Sequence, residues 1–87
     1  MEARALVAWN LRRLRVQRGS SQETLAFEAS IDRTYVSRLE RGLENPTVGI
    51  LEQLANALNT AIVEFFVEPK PGEAAPKPLR GGRRPRR

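Results

Sequence analysis

Gln22-Glu23-Thr24-Leu25-Ala26-Phe27-Glu28-Ala29-Ser30-Ile31-Asp32-Arg33-Thr34-Tyr35-Val36-Ser37-Arg38-Leu39 is the stretch on which the fold turns. Leu25, Ala26 and Ala29 recur at helical spacing and define one apolar face. After Ile31, Asp32 is a good N-cap for a second helix, whose inward face is Val36 and Leu39. Two short helices cross closely only where a small residue sits at the contact, and Ala26 is placed for that. The residues left facing outward on the second helix are Arg33, Thr34, Ser37, Arg38 and Arg41, a stripe of short or cationic side chains.

The flanking sequence supplies the rest of an all-α domain. Upstream, Val7, Leu11, Leu14 and Arg18 follow helical spacing from about Ala3, and Gly19 stops that helix. Either Ser20 or Ser21 can cap the next one, and Ser20 with Glu23 spells a capping box. Gly42 closes the helix begun at Asp32, and Leu43 to Pro46 form a loop. Thr47 caps a fourth helix carrying Val48, Leu51, Leu54, Ala55 and Leu58. Asn59-Thr60 breaks it, and Ala61 to Val67 reads as a short, very apolar fifth helix. Leu54, Ala55, Leu58 and Ile62 are expected in the core. Trp9 and Phe27 lie off the core stripes and receive no role.

Composition narrows the function. The 87 residues suffice for one small domain. The chain has no cysteine and no histidine. This excludes disulfides, thiolate or imidazole metal sites and nucleophile–histidine catalysis. No cofactor and no metal are expected, and Glu40 as a catalytic carboxylate has no second acid or nucleophile beside it. No apolar run approaches the roughly 20 residues that span a bilayer. No long apolar region follows Met1-Glu2-Ala3-Arg4 as a secretory signal requires. The expectation is a soluble, cytoplasmic, non-enzymatic protein. Its net charge of +5 is unevenly spread. Residues 1–41 carry eight Arg against five acids, residues 42–68 four Glu and no base, and residues 69–87 seven Lys or Arg against Glu73. Five of the six prolines fall in that last segment, which is therefore expected to be a disordered basic tail following a 1–68 domain.

The two central helices have the helix-turn-helix layout, with the second presented to a ligand. Arg donates two hydrogen bonds to guanine O6 and N7, and Thr or Ser bonds base edges or touches a thymine methyl. The first helix turns its N-terminal N–H groups at Ser21 to Glu23 toward a phosphate. An ordinary solvated face is the bland account of the same stripe. Tyr35 has two readings: packed with its hydroxyl reaching a phosphate, or wholly core. Arg41 and the loop near Asn45 suit phosphate. The cluster Ala61, Ile62, Val63, Phe65, Phe66 and Val67 has more apolar surface than a small domain hides. Val63, Phe65 and Phe66 are accordingly expected at a twofold dimer seam, against the alternative that Phe65 or Val63 folds back on the first helix. The tail is either a solvated end or a non-specific DNA arm.

From about Asn10 to Phe66 the sequence resembles the XRE family, which includes phage repressors and Cro proteins. The resemblance is carried by Asn10-Leu11-Arg12-Arg13-Leu14-Arg15, Ser21-Gln22-Glu23-Thr24-Leu25-Ala26, Asp32 through Gly42, Asn45-Pro46-Thr47, and Leu54-Ala55-Asn56-Ala57-Leu58. It implies a compact five-helix, phage-repressor-like fold and double-stranded operator DNA as partner. It also implies Gln22 on a phosphate, Arg33, Thr34, Ser37 and Arg38 on bases, and an Arg15–Glu40 ion pair bracing the recognition helix. Two residues depart from the pattern: Ser30 stands at a turn often held by Gly, and Val63 where a polar residue is usual. The function expected is a homodimeric transcriptional regulator, repressor-like, on a palindromic operator. An antitoxin or a restriction–modification controller uses the same domain. A protein-interaction module that no longer reads DNA is the alternative outside DNA binding, and a further, unidentified protein partner stays open.

Overall fold

Four side chains set where the four α-helices begin. In the computed structural model, which describes residues 1–73, Glu2 caps α1 (Ala3–Arg18), Ser21 caps α2 (Gln22–Ala29), Asp32 caps α3 (Arg33–Glu40) and Thr47 caps α4 (Val48–Ala57). Each accepts a hydrogen bond from a first-turn N–H that has no helical partner. The Ser21 hydroxyl accepts from Thr24 N at 2.9 Å, so Ser21 is the cap. Ser20 is buried instead, and the Ser20–Glu23 capping box does not form. The fifth element is a 3₁₀ helix, Ile62–Phe66, rather than an α-helix. No strand occurs among the described residues.

The helix ends are as specific as the starts. Gly19, at φ 80°, lets the chain turn left-handed, and Ser20 N then donates to Arg15 O at 3.1 Å. Between α2 and α3 the same manoeuvre falls on Ser30, at φ 59° and ψ 43°. Ile31 N donates to Ala26 O at 2.9 Å, which satisfies a carbonyl that the end of α2 would otherwise orphan.

One core joins all five elements. It contains Val7 and Leu11 of α1, Leu25, Ala26 and Ala29 of α2, Val36 and Leu39 of α3, Leu51, Leu54 and Ala55 of α4, then Leu58 and Phe65. Phe65 is completely enclosed. This corrects its expected place at a dimer seam: its ring is part of the core, and the 3₁₀ helix that carries it packs on α1 and α4. Ile62, expected in the core, is exposed.

A buried amide fixes the C-terminal 3₁₀ helix. Asn10 Nδ2 lies 2.9 Å from Phe65 O, 2.8 Å from Val67 O and 3.1 Å from Leu6 O. Its Oδ1 accepts from Arg13 Nε at 3.0 Å, and Arg13 Nη2 reaches Glu64 O at 3.1 Å. Carbonyls that a short 3₁₀ helix leaves open are thus bonded from α1. In residues 69–73, the start of the segment expected to be a basic tail, Glu73 N donates to Lys70 O and Lys70 N to Glu73 Oε1, each at 2.9 Å. Residues 74–87, the remainder of that segment, lie outside the described residues.

Candidate nucleic-acid interface

α3 is amphipathic. Burial of Val36 and Leu39 leaves Arg33, Thr34 and Arg38 exposed and Ser37 half-buried on the outward side. Arg41 is exposed at the helix end. The side chains of the stripe thus all keep some solvent exposure. Asp32 begins the helix by accepting from Thr34 N at 2.9 Å. Ser21 is exposed at the α2 N-terminus, and Asn45 is exposed in the loop before α4.

α3 is pinned at its last residue by a buried carboxylate. Glu40 Oε2 accepts from Arg15 Nε at 2.6 Å, and Oε1 accepts from Arg15 Nη2 at 2.9 Å, a two-bond pairing. The Glu40 side chain has no solvent exposure and that of Arg15 has 7%. Arg15 Nη1 donates to Ser20 O at 2.9 Å. Arg12 Nε approaches Glu40 Oε1 at 3.5 Å and Gln22 Nε2 donates to it at 3.1 Å. One carboxylate thus ties α1, the start of α2 and the end of α3 together.

Two of the expected DNA-contacting side chains already have partners within the chain. Gln22, expected on a phosphate, spends one amide donor on Glu40; an amide has a second donor and an acceptor to offer a ligand. Arg38, expected on a base, is paired: its Nε donates to Glu44 Oε2 at 2.7 Å, and its Nη2 lies 3.5 Å from Leu43 O. Tyr35 is half-buried and packs against the core. Burial raises the pKa of its phenol above the usual 10.0, and the negative charge of Glu44 adds to the rise. Glu44 had no role in the sequence reading. Its partner lies six residues back across a turn, a relation that no helical period reveals.

Val63, Phe66 and Val67 expose apolar surface on and just after the 3₁₀ helix, with Val63 62% exposed. No group of three or more His, Cys, Asp or Glu among the described residues is arranged to hold a metal ion. No described helix is long and apolar enough to cross a membrane.

Residues 11–65 match the sequence pattern of the helix-turn-helix family. A hypothetical transcription factor of Neisseria meningitidis is 41% identical over 69 residues, which is 79% of this chain and 65% of that protein, just under two thirds of it. Its crystal structure superposes with a TM-score of 0.75 over 78% of each chain. The restriction-modification controller protein C.AhdI from Aeromonas hydrophila is 41% identical, with a TM-score of 0.71 over 72% of this chain and 96% of that one. The controller C.Esp1396I, solved as a tetramer with its natural 35 base-pair operator, is 33% identical, with a TM-score of 0.70 over 76% of this chain and 87% of its own. These relatives are a transcription factor and restriction-modification controllers. With both its sequence and its backbone fold matching, the chain belongs to the XRE-type helix-turn-helix family of double-stranded-DNA-binding regulators.

Proposed function

We propose that the chain is a restriction–modification controller protein that binds a palindromic operator as a homodimer, with α3 in the major groove. The carrying observation is the match to C.AhdI along nearly that whole controller: such a protein needs little beyond the domain found here. Arg33, Thr34, Ser37 and Arg38 contact bases. Ser21, Gln22, Tyr35, Arg41 and Asn45 contact phosphates. Val63 and Phe66 meet their copies at the dimer seam, setting two recognition helices about one turn of DNA, ~34 Å, apart. The exposure of these apolar groups supports that role. The basic residues of 69–87 add sequence-independent affinity through counterion release. No cofactor enters; control comes from concentration or a protein partner, in the cytoplasm. The likeness to the Neisseria factor favours a second reading, a regulator with no restriction–modification linkage.

Selection of random duplex DNA by the full chain tests these readings. A palindrome with half-sites one helical turn apart, found upstream of endonuclease or methyltransferase genes, is the expected result. The same palindrome beside other genes would favour the second reading. A folded protein that enriches nothing would reject base reading and turn attention to an interaction module. Deleting residues 69–87 is expected to weaken binding evenly across sequences and flatten its salt dependence; an unchanged dependence would remove the arm.

A further inference from the structure

The outward stripe of α3 is not uniformly basic, because the loop after it returns an acid to it. Glu44 holds Arg38 through Nε at 2.7 Å, and Leu43 O stands 3.5 Å from Nη2. Both contacts fall on one edge of the guanidinium. The adjacent, end-on pair of Nη1–H and the second Nη2–H is the edge that remains, and it matches guanine O6 and N7. The Arg38 side chain is 44% exposed and that of Glu44 26%, so the pair sits at the surface where a base edge can approach. The same carboxylate is near enough to Tyr35, one turn earlier on α3, to disfavour its ionisation.

We propose that Glu44 is a positioning and specificity-determining residue for DNA reading: it holds Arg38 end-on toward a guanine and discourages its use on phosphate. This rests on the assignment of α3 as the base-reading helix. Two physical effects act in the same direction. A long side chain that is already held loses less rotamer freedom when it docks. A guanidinium partly neutralised by a neighbouring carboxylate attracts random phosphates less, and the carboxylate repels them. Affinity for the operator rises relative to affinity for any other duplex. As an exposed pair, Arg38–Glu44 adds little to folding stability, so its removal leaves the fold intact.

The test uses the full chain as wild type, Glu44→Gln, Arg38→Ala and the double variant. Operator selection on wild type and on Arg38→Ala identifies the base pair whose preference depends on Arg38. Anisotropy titrations then measure affinity for operator and for a random-sequence duplex over a range of salt, with thermal melts as a check on folding. Glu44→Gln keeps shape and one acceptor and drops the charge. It is expected to lower the operator-to-random affinity ratio about tenfold, or about 1.4 kcal/mol. Random-duplex affinity should rise, with a salt slope steeper by about one. The melting temperature should hold. In the Arg38→Ala background the same substitution should leave the ratio unchanged. A ratio that Glu44→Gln does not alter, or alters equally without Arg38, overturns the proposal. If wild type selects a palindrome and Arg38→Ala relaxes no position in it, the proposal falls while DNA reading stands. If wild type selects nothing, both fall.

Discussion

Replacing Glu40 by Ala is a perturbation to which this domain should be highly sensitive. The substitution removes a carboxylate with no solvent exposure and leaves Arg15, 7% exposed, with only the Ser20 carbonyl as partner. Arg12 and Gln22 lose an acceptor as well. Breaking one side of a buried pair costs about 3–5 kcal/mol, because the remaining charge stays desolvated. At ~0.05–0.15 kcal/mol per residue, about 70 ordered residues have a total stability of ~4–10 kcal/mol. The variant should therefore lose roughly a third of its stability or more. For a domain of this size 1 kcal/mol moves the melting temperature by about 4–8 °C, so a fall of at least about 12 °C is expected. Circular dichroism melts and urea titrations of the helical signal would measure it. The control is Arg15→Met with Glu40→Met, in which neither charge is left alone; apolar replacements of buried pairs are often neutral or stabilising. The double variant should be more stable than Glu40→Ala, although Gln22 and Arg12 still lack their acceptor. A loss below about 1 kcal/mol for Glu40→Ala, or a double variant no better than the single one, would refute the argument that the desolvated Arg15 sets the cost.

Phe65→Ala should cost ~3–5 kcal/mol through the cavity it leaves, measured by urea unfolding. Val63→Glu with Phe66→Glu should leave the fold intact and convert dimer to monomer in sedimentation equilibrium; an unaltered mass would place the seam elsewhere. Tyr35 should titrate above pH 10.0 in an ultraviolet absorbance titration, and Glu44→Gln should lower its midpoint. Because the folded state favours the neutral phenol, the stability this supplies is complete below the unfolded pKa and is lost as pH rises through the higher folded value. Tyr35→Phe should remove that alkaline loss, and a wild-type midpoint at or below 10.0 would contradict the burial. Ser30→Gly should relieve the ~1–2 kcal/mol of a left-handed residue bearing a Cβ, less ~0.4–1 for glycine's extra freedom when unfolded. A melting temperature raised by a few degrees is expected, and a lowered one would mean that the Ser30 side chain supports the turn.

What the sequence disclosed follows the range over which its signals act. Capping is a matter of three or four residues, so Asp32 and Thr47 could be identified by inspection, although Ser20 and Ser21 could not be separated. Amphipathic spacing is equally local, which is why Leu25, Val36, Leu39 and Leu54 were placed in the core correctly. The outward stripe of α3 followed from the same period. The expectations that failed concern the end of the chain. In Ala61–Val67 nearly every residue is apolar, and a run without polar positions does not say which side chain turns inward. A 3₁₀ helix also repeats every three residues instead of 3.6. Its register puts Phe65 inward and sets Val63 and Phe66 together toward solvent, whereas Ile62, in phase with Phe65, is exposed at the first position of the helix.

The other omissions are tertiary in kind, and they bear most on function. Asn10 belongs to the family's opening motif, but nothing near it in sequence announces carbonyl partners 55 and 57 residues away. Glu44 lay in what composition marked as the start of an acidic half, remote in character from the basic reading face. The loop from Arg41 to Thr47 reverses that impression by returning the acid to Arg38. Net charge counted along the chain describes long-range attraction to DNA, which decays over about 8–10 Å in physiological salt. Discrimination between base pairs depends on which edge of one guanidinium is free, and that is decided at hydrogen-bond distance. A stripe of arginines can thus be recognised from sequence as a DNA-facing surface, whereas its selectivity depends on an acid that only the folded loop brings beside it.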